Sequence, residues 1–146
     1  MREIRTEIEI EAAPADVWAA LTAFDAFPEW NPFVRAIQGE LVEGEALEVD
    51  LEMPSGRGMT MRPTVTSVTD GRSFAWLGHV VVPGVFDGHH RFEIEPRPGE
   101  RSMLVHREAF SGILAGLVLR LIGADTKAGF VAMNEALKER VEASAA

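Results

Sequence analysis

Ile8-Glu9-Ile10-Glu11-Ala12-Ala13-Pro14-Ala15-Asp16-Val17-Trp18-Ala19-Ala20-Leu21, followed after two residues by Phe24-Asp25-Ala26-Phe27-Pro28-Glu29-Trp30-Asn31-Pro32, is the stretch that decides the fold. Upstream of Pro14 the chain alternates: Ile4, Thr6, Ile8 and Ile10 share one face and Arg5, Glu7, Glu9 and Glu11 the other. Period two is the mark of a half-buried strand. Pro14 suits the first turn of a helix, and Asp16 complements the positive end of its dipole. Val17, Trp18 and Leu21 form the buried face of that short helix. Pro28 and Pro32 break the residues that follow into a turn or a second short helix.

The middle of the chain reads as strands. Residues 33–39, 46–53, 58–69, 73–82, 85–95 and 102–110 carry alternating or β-branched patterns separated by Gly39, Pro54-Ser55-Gly56, Asp70-Gly71, Pro83-Gly84 and Pro98-Gly99. In 46–53 the inward set is Leu47, Val49, Leu51 and Met53. In 58–69 Met59, Met61, Val65 and Val68 alternate less cleanly. In 85–95 Phe86, Gly88, His90, Phe92 and Ile94 share a face. The tail is helical: an apolar stretch from Ile113 to Ile122 ends at Gly123, and a second helix capped by Asp125 or Thr126 runs to about Val141. Phe130, Met133, Leu137 and Val141 fall at helical spacing on it. One strand, two short helices, six strands and a long C-terminal helix make an α+β design of seven antiparallel strands, in which the helix buries its apolar stripe on the sheet.

The chain has 146 residues, which suits a single domain spanning 1–146. It contains 14 Lys and Arg against 23 Asp and Glu, for a net charge of −9. That balance argues against nucleic acid and against an anionic membrane surface. Cys and Tyr are both absent, which removes disulfides, thiol nucleophiles and phenolic acids from consideration. The absence of Cys fits a reducing, cytoplasmic setting. The first residues show no signal-peptide pattern, and the apolar run at 113–119 is too short for a membrane span of about 20 residues. No Gly-rich phosphate loop, GxSxG, CxxC or HExxH motif is present.

Ala13-Pro14-Ala15-Asp16-Val17-Trp18 with Leu21, then Phe27-Pro28-Glu29-Trp30-Asn31-Pro32, resembles the opening of the polyketide cyclase/dehydrase family. Trp76-Leu77-Gly78, Gly88-His89-His90-Arg91-Phe92, Glu108-Ala109-Phe110-Ser111-Gly112 and the segment from Gly129 to Lys138 fit the same family, so the resemblance spans essentially the whole chain. That family belongs to the START-like, pollen-allergen-like superfamily. The resemblance implies a helix-grip fold, in which a curved seven-stranded antiparallel sheet wraps a long C-terminal helix around a deep apolar cavity. It also implies a hydrophobic or amphipathic small molecule (lipid-like, aromatic or polyketide-like) as partner. It implies no specific activity, since the superfamily holds binding and transfer proteins, cyclases, receptors and co-chaperone domains. The chain lacks the Tyr residues some cyclase-type members use and the extra domain a Rieske oxygenase subunit would need.

His90, His106 and Glu108 form the polar cluster to watch. A hairpin through Pro98-Gly99 sets their strands side by side, and a Glu beside a His in an apolar cavity makes an acid–base pair. In a catalytic reading His106 and Glu108 carry the chemistry. In a binding reading the same groups orient a ligand, or simply satisfy one another. Both faces of the 102–110 strand contain apolar residues, so the pattern leaves open which face His106 and Glu108 take. Two His and a carboxylate are also a conceivable metal set. Adjacent His89 and His90 point to opposite faces, however, so neither a metal nor a cofactor is expected. Trp30, which the resemblance places at the cavity rim, Trp76 beside Gly78, and Phe92, Phe110, Phe130 and Asn134 complete the candidate ligand contacts. Arg62 and Arg107 read as solvated or paired with acids. Ile113 to Ile122 reads as core helix or as a lid, dimer surface or lipid-contacting patch. Three functions follow: a small-molecule binder, a cyclase- or dehydratase-like enzyme, and a co-chaperone-like interaction module. Either a monomer or a homodimer fits.

Overall fold

A computed structural model describes residues 2–80 and 82–145. The opening motif folds as read: strand β1 (Arg2–Ile10), helix α1 (Pro14–Thr22), a 3-10 turn (Phe24–Ala26) and short helix α2 (Phe27–Trp30). Pro14 occupies the first turn of α1, and the helix buries Val17 and Leu21. Strands β2 (Val34–Gln38), β3 (Glu48–Glu52), β4 (Gly58–Met61), β5 (Thr64–Thr69), β6 (Ser73–Val80), β7 (Phe86–Arg97) and β8 (Arg101–Ser111) follow, and helix α3 (Ala115–Ala145) ends the chain.

The pairing is antiparallel throughout. One sheet runs β1-β8-β7-β6-β5 and the other β2-β3-β4. An Ala46–Thr64 bridge joins them, with backbone hydrogen bonds from Leu47 to Pro63 and from Val65 to Glu45. This is the helix-grip arrangement, with eight strands where the sequence reading has seven. The extra strand arises because 58–69 is divided at Pro63. Proline has no N–H to continue a ladder, so the chain leaves β3 there and starts a new pairing with β6. The expected strand 73–82 ends at Val80, and its Val81 lies outside the described residues.

The second difference lies in the tail. The sequence suggests a stretch ending at Gly123 and a new helix capped at Asp125 or Thr126. The structure has one helix of 31 residues running through Gly116 and Gly123, neither of which adopts a positive φ. A glycine within a helix costs only about 1 kcal/mol. Burying Phe130, Met133, Leu137 and Val141 against the sheet outweighs that. The two suspected caps are occupied elsewhere. The Thr126 hydroxyl donates to the Ile122 carbonyl, and the Asp125 carboxylate accepts from the Ser55 backbone N–H and hydroxyl.

The core is continuous from α1 across the sheet to the C-terminal half of α3, with Leu21, Phe27, Phe33, Phe74, Phe92 and Phe130 among its buried members. The helix approaches most closely at Gly129. A Cβ there would lie 2.6 Å from Cδ1 of the buried Phe33 ring, whereas one at Gly123 would meet nothing nearer than Leu119 Cβ at 3.9 Å. Gly129→Ala should therefore destabilise the fold by about 1–3 kcal/mol. Gly123→Ala should stabilise it by about 0.5–1 kcal/mol. Urea unfolding of the two variants checks the pair, and equal effects would contradict this account of the grip.

Candidate functional site

Between the three-stranded sheet and strands β6, β7 and β8 lies a cavity of about 50 Å³, closed on one side by Ile122 and Thr126 of α3. Its walls are almost wholly apolar. Val49, Leu51 and Met53 come from β3 and its end, Met59 and Met61 from β4, and Phe86 and Phe110 from β7 and β8. Trp76 and Gly78 enter from β6, and Gly88, His90 and Glu108 from β7 and β8. The alternating pattern of each strand is what turns these side chains inward.

Two glycines give the wall its depth. Gly78 and Gly88 are cross-strand partners. A Cβ at Gly88 would fall 2.1 Å from Oε2 of Glu108, so the Glu108 carboxyl uses the space that a side chain on Gly88 would fill. Glu108 and His90 face each other across β7 and β8, with Nδ1 of His90 3.4 Å from Oε1 of Glu108. Both are buried, Glu108 with 9 % of its surface exposed.

Behind His90 runs a chain of buried polar groups. Its Nε2 is 2.7 Å from Nε2 of His106. Nδ1 of His106 is 2.9 Å from Oδ1 of Asn134, and Nδ2 of Asn134 donates to Oγ1 of Thr6 at 2.9 Å. The Thr6 hydroxyl in turn donates to the His106 carbonyl at 2.9 Å. That last bond sets the direction of the others. A carbonyl only accepts, so the Thr6 proton is committed to it and Thr6 must accept from the Asn134 amide. Asn134 Oδ1 then faces His106, whose Nδ1–H donates to it. Burial pushes His106 well below the usual imidazole range, with His90 acting in the same sense and the Asn134 hydrogen bond against it. A neutral ring protonated at Nδ1 leaves Nε2 bare, so the Nε2–H of His90 donates to it.

Aromatic rings enclose both imidazoles. Phe130 stacks on His106 with centroids 4.0 Å apart and planes at 8°, and Phe92 lies 4.4 Å from the same ring. Trp76 covers His90 at 5.1 Å, and Phe92 stacks on it at 4.9 Å. Of the residues picked from the sequence, the structure thus brings Trp76, His90, Glu108 and Phe110 to the cavity wall. Phe92, Phe130, His106 and Asn134 stand behind it as the packing and hydrogen-bond support of His90. Trp30 is away from the cavity and packs edge-on against Phe27 at 5.2 Å. His106 is one residue removed from Glu108, and the immediate neighbour of the carboxyl is His90. Arg62 pairs with Glu48 at 2.8 Å, and Arg107 with Glu93 at 2.8 Å and Glu3 at 3.4 Å.

The sequence reading did not pick Phe33, Val49, Leu51, Val80, Phe86, Thr126 or the three methionines as cavity residues. Inward alternation at Met53, Met59 and Met61 was a visible signal. Nothing local marked Phe33 and Thr126, which come to the cavity only by packing. The 113–122 stretch is mixed. Ala115 is buried and Ile122 lines the cavity, while Ile113, Leu117 and Leu121 are 84 %, 56 % and 74 % exposed. Among the described residues, no three His, Asp or Glu side chains converge as a metal site. Nor is any described helix long and apolar enough to cross a membrane.

An antiparallel sheet gripping a long helix, with an apolar cavity between them, is the helix-grip fold. Residues 1–142 match the family model described as polyketide cyclase/dehydrase and lipid transport, and the chain belongs to that family. No curated protein matches the sequence significantly. Similar solved structures include the Zhui aromatase/cyclase from Streptomyces sp. R1128, at 17 % identity and a TM-score of 0.77 over 97 % of this chain and 93 % of that one. A START superfamily protein from Mycobacterium smegmatis is 17 % identical with a TM-score of 0.70, over 96 % of this chain and 97 % of that one. A protein from Thermus thermophilus is 18 % identical with a TM-score of 0.75, over 99 % and 100 % of the two chains. At these identities the likeness is one of fold.

The buried chain predicts a pH dependence. His106 is neutral in the folded protein, while in the unfolded chain a histidine takes up a proton near pH 6.5. Below that pH the unfolded state binds more protons than the folded one. Stability contributed by His106 is therefore intact above about pH 7 and lost as pH falls, at up to about 1.4 kcal/mol per pH unit. His89 on the outer face, lowered first by burial and then by Arg91, adds to the slope. Urea unfolding between pH 7.5 and 5 should show this decline, and His106→Gln should flatten most of it.

Proposed function

We propose that the protein binds a hydrophobic or amphipathic small molecule, lipid-like, aromatic or polyketide-like, in the cavity between its two sheets and α3. The observation that carries this reading is an apolar chamber with one buried carboxyl–imidazole pair in its wall. Ligand sites are mostly apolar with a few placed polar groups. Family membership supports the same reading. At about 50 Å³ the chamber holds only a few water-sized bodies, against a usual ligand pocket of roughly 300 Å³ or more. Room for a ligand comes from Met53, Met59 and Met61. Methionine is unbranched and repacks readily, and β4, which carries two of the three, is an edge strand paired only with β3.

Native mass spectrometry of freshly purified protein, followed by organic extraction, tests the reading. An apolar molecule should be retained, or added 2-naphthol should bind and quench the fluorescence of Trp76. Trp76 lines the cavity, whereas Trp30 packs on Phe27 away from it and Trp18 packs on Phe74, which also touches Trp76. Trp76→Phe should therefore remove most of the quenching, and Trp30→Phe should leave it. Binding should also raise the unfolding midpoint in proportion to the logarithm of ligand concentration. No retained molecule and no shift with any apolar probe would overturn the proposal.

A second reading is favoured by the placement of Glu108. A carboxyl in an apolar wall beside an imidazole is suited to move a proton on and off a carbonyl compound, as a cyclase or dehydratase requires. In that reading Glu108 is the acid–base group and His106 acts on it through His90. Glu108→Gln should then abolish turnover of a polyketide-like substrate while leaving its binding within about threefold. Loss of binding without any measurable turnover in the wild type would restrict Glu108 to a binding role.

A further inference from the structure

The Glu108 carboxyl has an unmet need. Among the described residues no N–H or O–H donates a hydrogen bond to it within normal geometry, and its one polar neighbour is His90 Nδ1 at 3.4 Å. It is nonetheless nine-tenths buried and faces the cavity. A buried polar group without partners is costly, and a ligand is one way of satisfying it.

The chain behind His90 limits what that ligand can be. Thr6, Asn134 and His106 direct the Nε2–H of His90 toward His106, which leaves Nδ1 as the His90 atom that faces Oε1 of Glu108. At 3.4 Å the two atoms are neighbours beyond the usual hydrogen-bond range, so the carboxyl gains no donor from His90. The other carboxyl oxygen, Oε2, lies in the space beside Gly88 with no donor among the described residues. Among the described residues lining the cavity there is no Lys or Arg to balance an anion.

We propose that Glu108, oriented by His90 and by the Thr6–Asn134–His106 chain, is the head-group receptor of the cavity and selects a neutral ligand bearing a hydroxyl or N–H donor over a carboxylate. The inference rests on the ligand-binding reading above and assigns the chemistry of the ligand's polar end. Glu108 contacts the ligand. Thr6, Asn134 and His106 are positioning residues, which fix the His90 tautomer from outside the cavity.

Three probes of one size test it at pH 7: 2-naphthol, 2-methoxynaphthalene and 2-naphthoate, each titrated against the whole protein by Trp76 fluorescence. The naphthol should bind about tenfold tighter than either of the others. The ether lacks the donor, and the naphthoate brings an unpaired charge into the cavity. Nitrogen-15 NMR without ligand should show His106 protonated at Nδ1 and His90 at Nε2. Thr6→Val keeps the shape of the side chain but frees the Asn134 amide to turn. It should mix the tautomers of His106 and shrink the preference for naphthol, an effect that loss of packing alone would not produce. Should Thr6→Val not fold, Asn134→Asp serves instead, since its carboxylate should make His106 doubly protonated and turn His90 to the Nδ1–H form. Equal binding of the three probes, tighter binding of naphthoate, or the opposite tautomers in the wild type would each overturn the head-group proposal alone. Binding of none of them would overturn it together with the cavity reading.

Discussion

The interaction on which the rest depends is the hydrogen bond between Asn134 of α3 and His106 of β8. It is made in a part of the core from which water is excluded, where each polar group must find a partner or impose a cost of about 1–3 kcal/mol. The groups on either side extend it. Thr6 ties in β1, and His90 ties in β7. The helix is thereby pinned to three adjacent strands at one point along its length. Apolar packing alone would hold α3 on the sheet but would define its rotation and register less sharply.

The aromatic residues make that pinning possible. Phe33, Phe92, Phe130 and Trp76 surround two imidazoles and remove them from solvent, and the stacking of Phe130 on His106 leaves no room for a water between them. Gly129 allows Phe33 to reach this cluster by removing the Cβ that would collide with its ring. The same geometry produces the cavity. Toward α3 the space between helix and sheet is filled by the imidazole cluster, whereas toward β4 it is walled by Gly78, Gly88 and the flexible methionines. Glu108 stands where the packed and the open regions meet.

Much of this was legible in the chain. The β1–α1 opening, the alternation of β3 and β7 and the apolar stripe of α3 follow from patterns of period 2 and 3.6 that reflect which side of each element is buried. Pro63 broke a strand that the alternation alone ran through, because the missing N–H matters only once pairing partners are known. The glycines of α3 misled in the opposite direction, since a local helix penalty of about 1 kcal/mol says nothing of the tertiary packing that overcomes it. His90 and Asn134 were recognisable as polar residues on apolar faces, but the face taken by His106 and Glu108 and the order of the hydrogen bonds were not.

What the sequence by itself determined is the architecture: antiparallel strands, a proline-started helix and a long amphipathic helix at the end. These are consequences of local periodicity, and local periodicity is written residue by residue. The tertiary structure decided which of the clustered groups touch. Register places His90 opposite Glu108 and Phe92 opposite His106, and the rotation of α3 brings Asn134 to His106 rather than to the cavity. Those contacts join residues up to 128 positions apart. They are set by the simultaneous packing of three strands and a helix, and no single segment encodes them.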